Sequence, residues 1–408
     1  DRACALGWDC LCSGMERHIC AEDEQENGAE PDAFLRKESL QMKKNELIVI
    51  YGTDYQKMTG ELLERADLAS MIPHKDTLIG IKPNLLGQVL ACEGGTTHPE
   101  VVEALICYLQ SKGFSNVIML EGSWVGDKTE EAVRYCGFDR LSEQYGVPFW
   151  DMQADRGVKT DCGGMELNLC SRAKEIEFLI NVPVLKGHCQ TRITCALKNM
   201  KGLLPNSEKR RFHRMGLHDP IAHLALGIHQ DFILVDSICG DLTFEDGGNP
   251  VEQNRLIAAA DPVLCDAYGC RLLEIPVETV PYIGKAAALG AGSMDVSAAR
   301  ITVLSGDQKP DGESGVGGYR HVMRLAEMAE EVDSCSACYG YLIPALQMLD
   351  QDGLLDQLKE KICIGQGYRG QSGHLGVGNC TKAFEHTVAG CPPTETQIYE
   401  FLKEYINH

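Results

Sequence analysis

Short apolar segments alternate with helix-length amphipathic segments along most of this chain, and that alternation restricts the fold more than any other feature. Six segments have the length and composition of buried strands: ELIVIYG (46–52), TLIGIKPN (77–84), NVIMLEG (116–122), EFLINVPVLK (177–186), FILVDSI (232–238) and RITVLSG (300–306). Residues 99–113 show the intervening helical pattern, with proline in the first turn and glycine just past the end. Strands that are apolar throughout are buried on both faces. The sequence therefore predicts an α/β fold, in which helices cover both faces of a mainly parallel sheet.

Changes in composition divide the chain into four predicted parts. Residues 1–41 show no helical or strand period and carry four isolated cysteines, so we expect a disordered tail or a non-native leader. The leader hypothesis rests on the codons for Lys37 and Glu38, which are compatible with a purine-rich ribosome-binding sequence ahead of Met42. Residues 42–306 hold the α/β domain, and 307–318 form a polar linker rich in glycine. Residues 319–408 are predicted to be a small cysteine-rich α/β domain that binds a cluster.

The charge of the chain excludes some classes of partner. A net charge of -21, from 38 basic and 59 acidic residues, argues against binding to nucleic acid or to an anionic membrane surface. A secretory signal pattern and a long apolar span are both lacking, so we expect the 19 cysteines to lie in a reducing cytoplasm rather than in disulfides. One segment, residues 186–214, reverses the trend with eight basic residues and one acid.

Four cysteines near the end of the chain have the pattern of a metal centre. Cys335 and Cys338 form a C-x-x-C pair, and Cys380 and Cys391 add two thiols, the last followed by proline. Four such thiolates match the ligand count of a [4Fe-4S] cluster. A structural zinc ion uses the same ligands, although zinc sites usually have two short knuckles, and a redox pair or inert thiols are further alternatives. Thr394 is expected to cap the helix that follows.

Nine further cysteines fall mostly in apolar periodic segments, where small buried thiols are common. They are Cys92, Cys107, Cys136, Cys189, Cys195, Cys239, Cys265, Cys270 and Cys363. We therefore expect Cys107→Ser to leave a cluster intact and Cys338→Ser to remove it.

Polar side chains at predicted strand ends and helix starts are the candidate ligand-binding groups. Lys82 and Asn84 close a strand, and Thr97 precedes a helix that begins with proline, which suits either an anion site or simple capping. In the basic segment, lysines and a histidine form a candidate pocket for carboxylate or phosphate. The alternative is that these basic residues line a solvated face. The candidate catalytic residues are Lys186, His188 and Lys198, and the candidate substrate-binding residues are Lys82, Asn84, Thr97, Asn199 and Lys201. Asp261 is expected to cap the helix from Pro262.

Six motifs in order resemble domain-of-unknown-function family 362, over about residues 78–306: IKPNL, TTHPEVVEAL, INVPVLKGH, ALKNMKGLLP, VDSI and AADPVLCDAYGCRLL. The resemblance implies an α/β domain associated with an iron–sulfur cluster, and its matched positions are Lys82, Asn84, Lys186, His188, Lys198 and Asn199. Members commonly carry a ferredoxin-like C-x-x-C-x-x-C segment, whereas this chain has CSAC, GNCT and GCPP, so a ferredoxin fold is not implied. GCPP is similar to the cysteine-proline turn that ligates a cluster in the small subunits of hydrogenases and of respiratory complex I. The family supplies no reaction.

These observations support three functional hypotheses. The first is an iron–sulfur oxidoreductase or electron-transfer protein whose partner is an anionic small molecule or a redox protein. The second is a non-redox enzyme that binds a carboxylate or phosphate through the lysines and histidine and has a structural metal site. The third is a metal-binding scaffold without turnover. A glycine-rich dinucleotide fingerprint and a P-loop are both lacking in the sequence.

Overall fold

The computed structural model describes residues 42–242, 250–304 and 316–407. The predicted leader, residues 1–41, lies outside the described residues, and so does most of the predicted linker. Residues 316–318 of that linker belong to a helix instead. The division of the chain into separate domains stays a prediction.

The described residues form the following strands and helices. The strands are β1 (Glu46–Tyr51), β2 (Ile79–Pro83), β3 (Val117–Glu121), β4 (Phe149–Asp151), β5 (Gly157–Asp161), β6 (Glu166–Cys170), β7 (Phe178–Val182), β8 (Lys186–His188), β9 (Arg192–Thr194), β10 (Phe232–Asp241), β11 (Pro250–Ala259), β12 (Arg300–Val303), β13 (Ala329–Glu331), β14 (Ile362–Ile364), β15 (Leu375–Val377) and β16 (His386–Val388). The helices are α1 (Tyr55–Arg65), α2 (Leu68–Met71), α3 (Pro99–Ser111), α4 (Thr129–Tyr135), α5 (Phe138–Tyr145), α6 (Ala196–Asn199), α7 (Asn206–Met215), α8 (His218–Gly227), α9 (Pro262–Leu272), α10 (Pro281–Ala288), α11 (Val316–Ala326), α12 (Ser336–Gln351) and α13 (Glu395–Asn407).

Eight strands form the main sheet, in the order β12-β1-β11-β10-β7-β2-β3-β4. Strand β11 is antiparallel to both of its neighbours, and the other five strand pairs are parallel. The mainly parallel α/β sheet is therefore confirmed, while β11 was not among the predicted strands.

Alternate residues of the central strands enter two separate hydrophobic cores. In β1, Leu47 and Val49 pack into one core, and Ile48 and Ile50 pack into the other. Helices α8, α9 and α10 contribute to the first core, and α1, α3 and α5 contribute to the second. Side chains of successive strand residues point to opposite faces, so the prediction of helices on both faces is confirmed.

The C-terminal part of the chain has its own sheet of four parallel strands, in the order β13-β14-β15-β16. Its core contains Leu342 and Leu346 from α12, Ile362 from β14, and Ile398 and Leu402 from α13. This arrangement confirms a small C-terminal α/β unit.

Two helix starts form as the sequence predicts. The carboxylate of Asp261 accepts from the amides of Val263 and Leu264, at 2.8 and 3.0 Å. The hydroxyl of Thr394 accepts from the amide of Gln397 at 3.3 Å, and the Gln397 side chain accepts from the Thr394 amide at 2.9 Å. Both ends therefore gain hydrogen bonds that the helix itself cannot supply.

Candidate functional site

The carboxyl ends of three adjacent parallel strands bring polar side chains together. Lys82 in β2 lies opposite Asn181 in β7, and Glu121 closes β3 on the other side of β2. The Lys82 ammonium donates to the Glu121 carboxylate and to the carbonyl of Pro83, the latter at 2.9 Å. Burial lowers the pKa of Lys82 and raises the pKa of Glu121, although the opposite charge of each partner works against both shifts. Ligands commonly bind at this edge of an α/β sheet.

Asn199, the last residue of the short helix α6, connects that helix to the strand ends. Its side-chain carbonyl accepts from Asn84 Nδ2 at 2.8 Å and from Lys82 Nζ at 3.3 Å. Its side-chain amide donates to Asn181 Oδ1 at 2.7 Å. These buried bonds fix the position of Lys198, the preceding residue.

Lys209 on α7 completes the buried group. Its ammonium donates to the carbonyls of Gly122 and Ser123, at 2.6 and 2.8 Å. Burial lowers the pKa of Lys209 to about 8, against the attraction of Glu121. Sequence reasoning assigned no role to Glu121 or Lys209. The available signal for Glu121 was its place at the end of a buried strand, which it shares with Lys82.

A small cavity of about 60 Å³, here called the polar pocket, opens above these residues. Its lining includes Asn84, Glu121, Ser123, Thr194, Lys198, Asn199, Lys201, Lys209 and His213. Asn84 Oδ1 and Thr194 Oγ1 are buried without a hydrogen-bond partner in the described part of the chain. Two buried polar atoms thus face a pocket that has several cationic side chains.

Of the three candidate catalytic residues, two line different cavities of the described structure. Lys198 lines the polar pocket, whereas His188 lines another cavity of about 230 Å³ together with His218 and Tyr339. His188 Nδ1 accepts from the amides of Gln190 and Thr191, at 3.0 and 3.1 Å. Lys186 donates to the carbonyl of Gly95 at 2.7 Å and lines neither cavity.

Of the candidate substrate-binding residues, Asn84, Asn199 and Lys201 line the polar pocket, and Lys82 lies beneath it in the ion pair with Glu121. Thr97 instead supports the strand end. Its hydroxyl accepts from the Asn84 amide and donates to the Val182 carbonyl, both at 2.8 Å.

The four predicted cluster cysteines converge in the C-terminal unit. Cys335 and Cys338 lie at the start of α12, Cys380 follows β15, and Cys391 follows β16. Burial raises the pKa of Cys338 to about 12, and the nearby thiols of the other three act in the same direction. Gln366 Nε2 donates to Cys335 Sγ at 3.4 Å. We call these residues the four-cysteine group.

A larger cavity of about 590 Å³, here called the cysteine cavity, lies beside this group. Cys335, Cys338 and Cys391 line it, together with Trp124, Val125, Gly126, Ser207, Arg210, His213, Arg214, Tyr341 and Pro392. Trp124, Val125 and His213 also line the polar pocket, so the two cavities share a wall.

Two groups of side chains outside the four-cysteine group have ligand atoms that all lie within 4.8 Å of one another: Cys195, Cys265 and Asp266, and His374, Glu385 and His386. The first is fully buried, and Asp266 Oδ1 already accepts from the amide of Ala196 at 2.7 Å. The second is exposed. The described chain thus contains cysteine and histidine groups able to hold a metal.

Residues 79–271 match the family model of a domain of unknown function, DUF362. The match covers a little under half of the chain. The polar pocket lies within this domain, and the four-cysteine group lies outside it. The family resemblance is therefore confirmed, whereas the iron–sulfur association stays a prediction.

The chain is similar to the thylakoid-associated protein sll1697 of Synechocystis sp., with 25% identity over 232 residues that cover 54% of this chain and 70% of the relative. It also resembles the solved lactate racemase apoprotein from Thermoanaerobacterium thermosaccharolyticum, at 15% identity and a TM-score of 0.37. That match covers 55% of this chain and 56% of the racemase chain, so this chain spans little more than half of it. Among the described helices, none combines the length and hydropathy needed to cross a bilayer.

Four of the nine other cysteines that the sequence predicts to be buried are not buried. Cys92 and Cys107 are exposed, because they lie on the solvent side of their segments, and Cys189 and Cys363 are half-buried. Cys136, Cys195, Cys239, Cys265 and Cys270 are buried as predicted.

Proposed function

We propose that this protein is an iron–sulfur oxidoreductase or electron-transfer protein. In this proposal, Cys335, Cys338, Cys380 and Cys391 hold a [4Fe-4S] cluster that exchanges electrons with an organic anion or a redox protein partner. The observation that carries the proposal is the wall shared by the cysteine cavity and the polar pocket. A ligand that bound beside the shared residues would lie near both the lysines and the cluster ligands.

The residues present fit such a cluster. Four thiolates are the usual ligand set, and a glycine beside them leaves space for inorganic sulfide. Gly378 has φ of +89°, and a Cβ at this position would lie 3.6 Å from Cys338 Sγ. Gln366 is a hydrogen-bond donor to Cys335, and the charge of Arg369 interacts with Cys380, so both side chains are placed to tune the sulfurs.

The spacing of the sulfurs favours a cluster over a single zinc ion. Zinc holds thiolates at about 2.3 Å, which sets tetrahedral sulfurs about 3.8 Å apart. Among the described residues, no three of these four sulfurs all lie within 4.8 Å of one another. The wider arrangement suits several metal ions better than one.

The lining of the two cavities indicates the kind of ligand. A volume of about 60 Å³ holds about four to six waters, which is room for a carboxylate or phosphate beside Lys198, Lys201 and Lys209. Trp124 and Tyr341 give the neighbouring cavity an aromatic surface that suits an apolar body. We therefore propose an organic anion whose acidic group binds in the polar pocket.

A bound [4Fe-4S] cluster would supply one-electron exchange, and the protein residues would supply binding and protons. The pKa of about 8 leaves Lys209 able to lose or gain a proton near neutral pH. Electrons and protons would then reach the ligand from the sides of two neighbouring cavities.

The buried acid–base group also supports a second candidate function, a non-redox enzyme with a structural metal site. Glu121 and Lys82 form a complete ion pair within the DUF362 domain, without any contribution from the cysteines. Proton transfer within the pocket would then need no change in oxidation state.

Anaerobic purification with iron and sulfide analysis tests the first function. We expect about four irons per chain and visible absorption that bleaches with dithionite. Turnover or a ligand-induced shift in reduction potential would support redox work on the ligand. A reducible cluster with ligand affinity independent of oxidation state would favour the second function, and a zinc-containing or metal-free protein after reconstitution would overturn the cluster.

We also propose a reducing cytoplasm as the location, because thiol-ligated clusters and abundant cysteines suit that environment.

A further inference from the structure

The exposed histidine group of the C-terminal unit is built on paired strands. His374 directly precedes β15, and His386 opens β16. His386 is in register with Leu375, and its amide donates to the His374 carbonyl at 2.8 Å. The two imidazole rings lie edge to face with centroids 4.9 Å apart. Main-chain hydrogen bonds therefore hold the two imidazoles side by side, so few degrees of freedom must be lost to bring them to one ion.

Glu385 supplies a third ligand atom. Its Oε2 lies 3.5 Å from His374 Nε2, and the ligand atoms of His374, Glu385 and His386 are all within 4.8 Å of one another. Tetrahedral zinc with bonds of about 2.1 Å needs ligand atoms about 3.4 Å apart. All three side chains are exposed, so small rotations bring them to that distance without disturbing a core.

The second nitrogen of His374 has a partner of the kind that orients metal-bound histidines. His374 Nδ1 lies 2.7 Å from Glu360 Oε1, and the Tyr405 hydroxyl donates to the same carboxylate. This contact places the proton on Nδ1 and leaves the lone pair of Nε2 directed toward Glu385. A carboxylate that holds one imidazole nitrogen while the other binds metal is a common supporting arrangement.

We propose that His374, Glu385 and His386 bind a transition-metal dication, with zinc as the best fit to two imidazoles and one carboxylate. Three protein ligands leave a fourth position for water or for an exchangeable ligand. Glu360 and Tyr405 are positioning residues in this site. The site lies outside the DUF362 domain and uses none of the four cysteines, so it does not depend on the proposed function.

The two imidazoles of the histidine group decide which metal it prefers and how binding depends on pH. Imidazole nitrogen favours zinc, copper and nickel over magnesium and calcium, which prefer oxygen ligands. Protons compete for the same nitrogens, so affinity should fall on acidification.

Zinc titration of the full chain, as purified with its native metal content, tests the proposal. We expect His386→Ala to remove one zinc equivalent without changing the iron content, and Glu360→Gln to weaken affinity about 10- to 100-fold. His229→Ala is the matched control, because His229 is also exposed beside a carboxylate, 3.4 Å from Asp231. That variant should bind zinc as the unmodified protein does.

Cobalt(II) distinguishes this site from a thiolate site. Binding at the histidine group should produce visible cobalt bands without the near-ultraviolet charge transfer that thiolate ligands cause. The proposal would be overturned if His386→Ala bound as much zinc as the unmodified protein, or if the affinity were no tighter than about millimolar. Thiolate charge transfer from the cobalt ion that replaces this zinc equivalent would also overturn it. A simple exposed ion-pair cluster would give one of those results.

Discussion

The polar pocket and the four-cysteine group differ in how their side chains are held. In the pocket, Lys82, Asn84, Asn181, Glu121 and Asn199 are joined by buried hydrogen bonds. The four thiols lie close enough to interact electrostatically, and burial raises the pKa of Cys335 and of Cys338. The buried Lys82 charge therefore has its partner within the protein, whereas the cysteines need a cationic partner to become stable thiolates.

The largest effect expected from this difference is on metal content. Cys338→Ser should reduce iron from about four per chain to less than about one, because one of four ligands is lost. Cys363→Ser is the matched control, since Cys363 is a half-buried thiol in β14 of the same unit. Iron analysis after anaerobic purification makes the measurement. Equal iron in the two variants would contradict the assignment of Cys338.

The pocket should respond in stability rather than in metal content. Glu121→Ala leaves the fully buried Lys82 ammonium without its carboxylate, which should cost about 3 to 5 kcal/mol of unfolding free energy. Glu166→Ala, which breaks the exposed Lys159 pair, should cost less than about 1 kcal/mol. Urea unfolding at constant metal content compares the two. A Glu121→Ala cost no larger than the control would show that the buried pair is not the support we infer.

How much the sequence predicts differs between the same two regions, and the assignment of the four cysteines to a cluster stays a prediction. Cys335, Cys338, Cys380 and Cys391 could be chosen from spacing and the following proline alone. The pocket depends on burial, which the basic residues at 209–211 do not reveal: Lys209 faces inward, whereas Arg211 is partly exposed beside Glu208. A helical segment rich in basic residues predicts a solvated face, and only the packed fold shows which of its side chains is buried.

The reversal of the chain between β8 and β9 explains why His188 and Lys198 line different cavities. β8 and β9 form a short antiparallel pair in which His188 lies opposite Arg192, and the main chain at the turn bonds to His188. Nothing in the residues from 186 to 198 specifies that reversal. Strand β11 was missed for a related reason, because its first half is polar and partly exposed while only residues 255–259 are buried.

The charge of Lys209 should give anion binding a pH dependence of intermediate size. Lys209 is cationic below its pKa of about 8 and neutral above it, so affinity should fall by about tenfold as the pH rises through that value. Benzoate is a suitable probe, since its own charge is constant from about pH 6 to about pH 10. Quenching of Trp124 fluorescence reports binding, with Trp124→Phe to assign the signal. Lys209→Met should abolish the pH dependence, and an unchanged profile in that variant would exclude Lys209 as its origin.

The smallest expected effects decide whether the two regions unfold together. Asp261 caps α9 in the DUF362 domain, and Thr394 caps α13 in the C-terminal unit. Removing either cap with alanine should cost about 1 kcal/mol. If the regions unfold as one cooperative unit, both variants will lower the same urea midpoint by a similar amount. If they are separate domains, as the sequence predicts, Thr394→Ala will shift only a transition reported by cluster absorption. Asp261→Ala will then shift only the transition that is reported by the fluorescence of Trp124 and Trp150. A shift of both signals in either variant would refute the division into two domains.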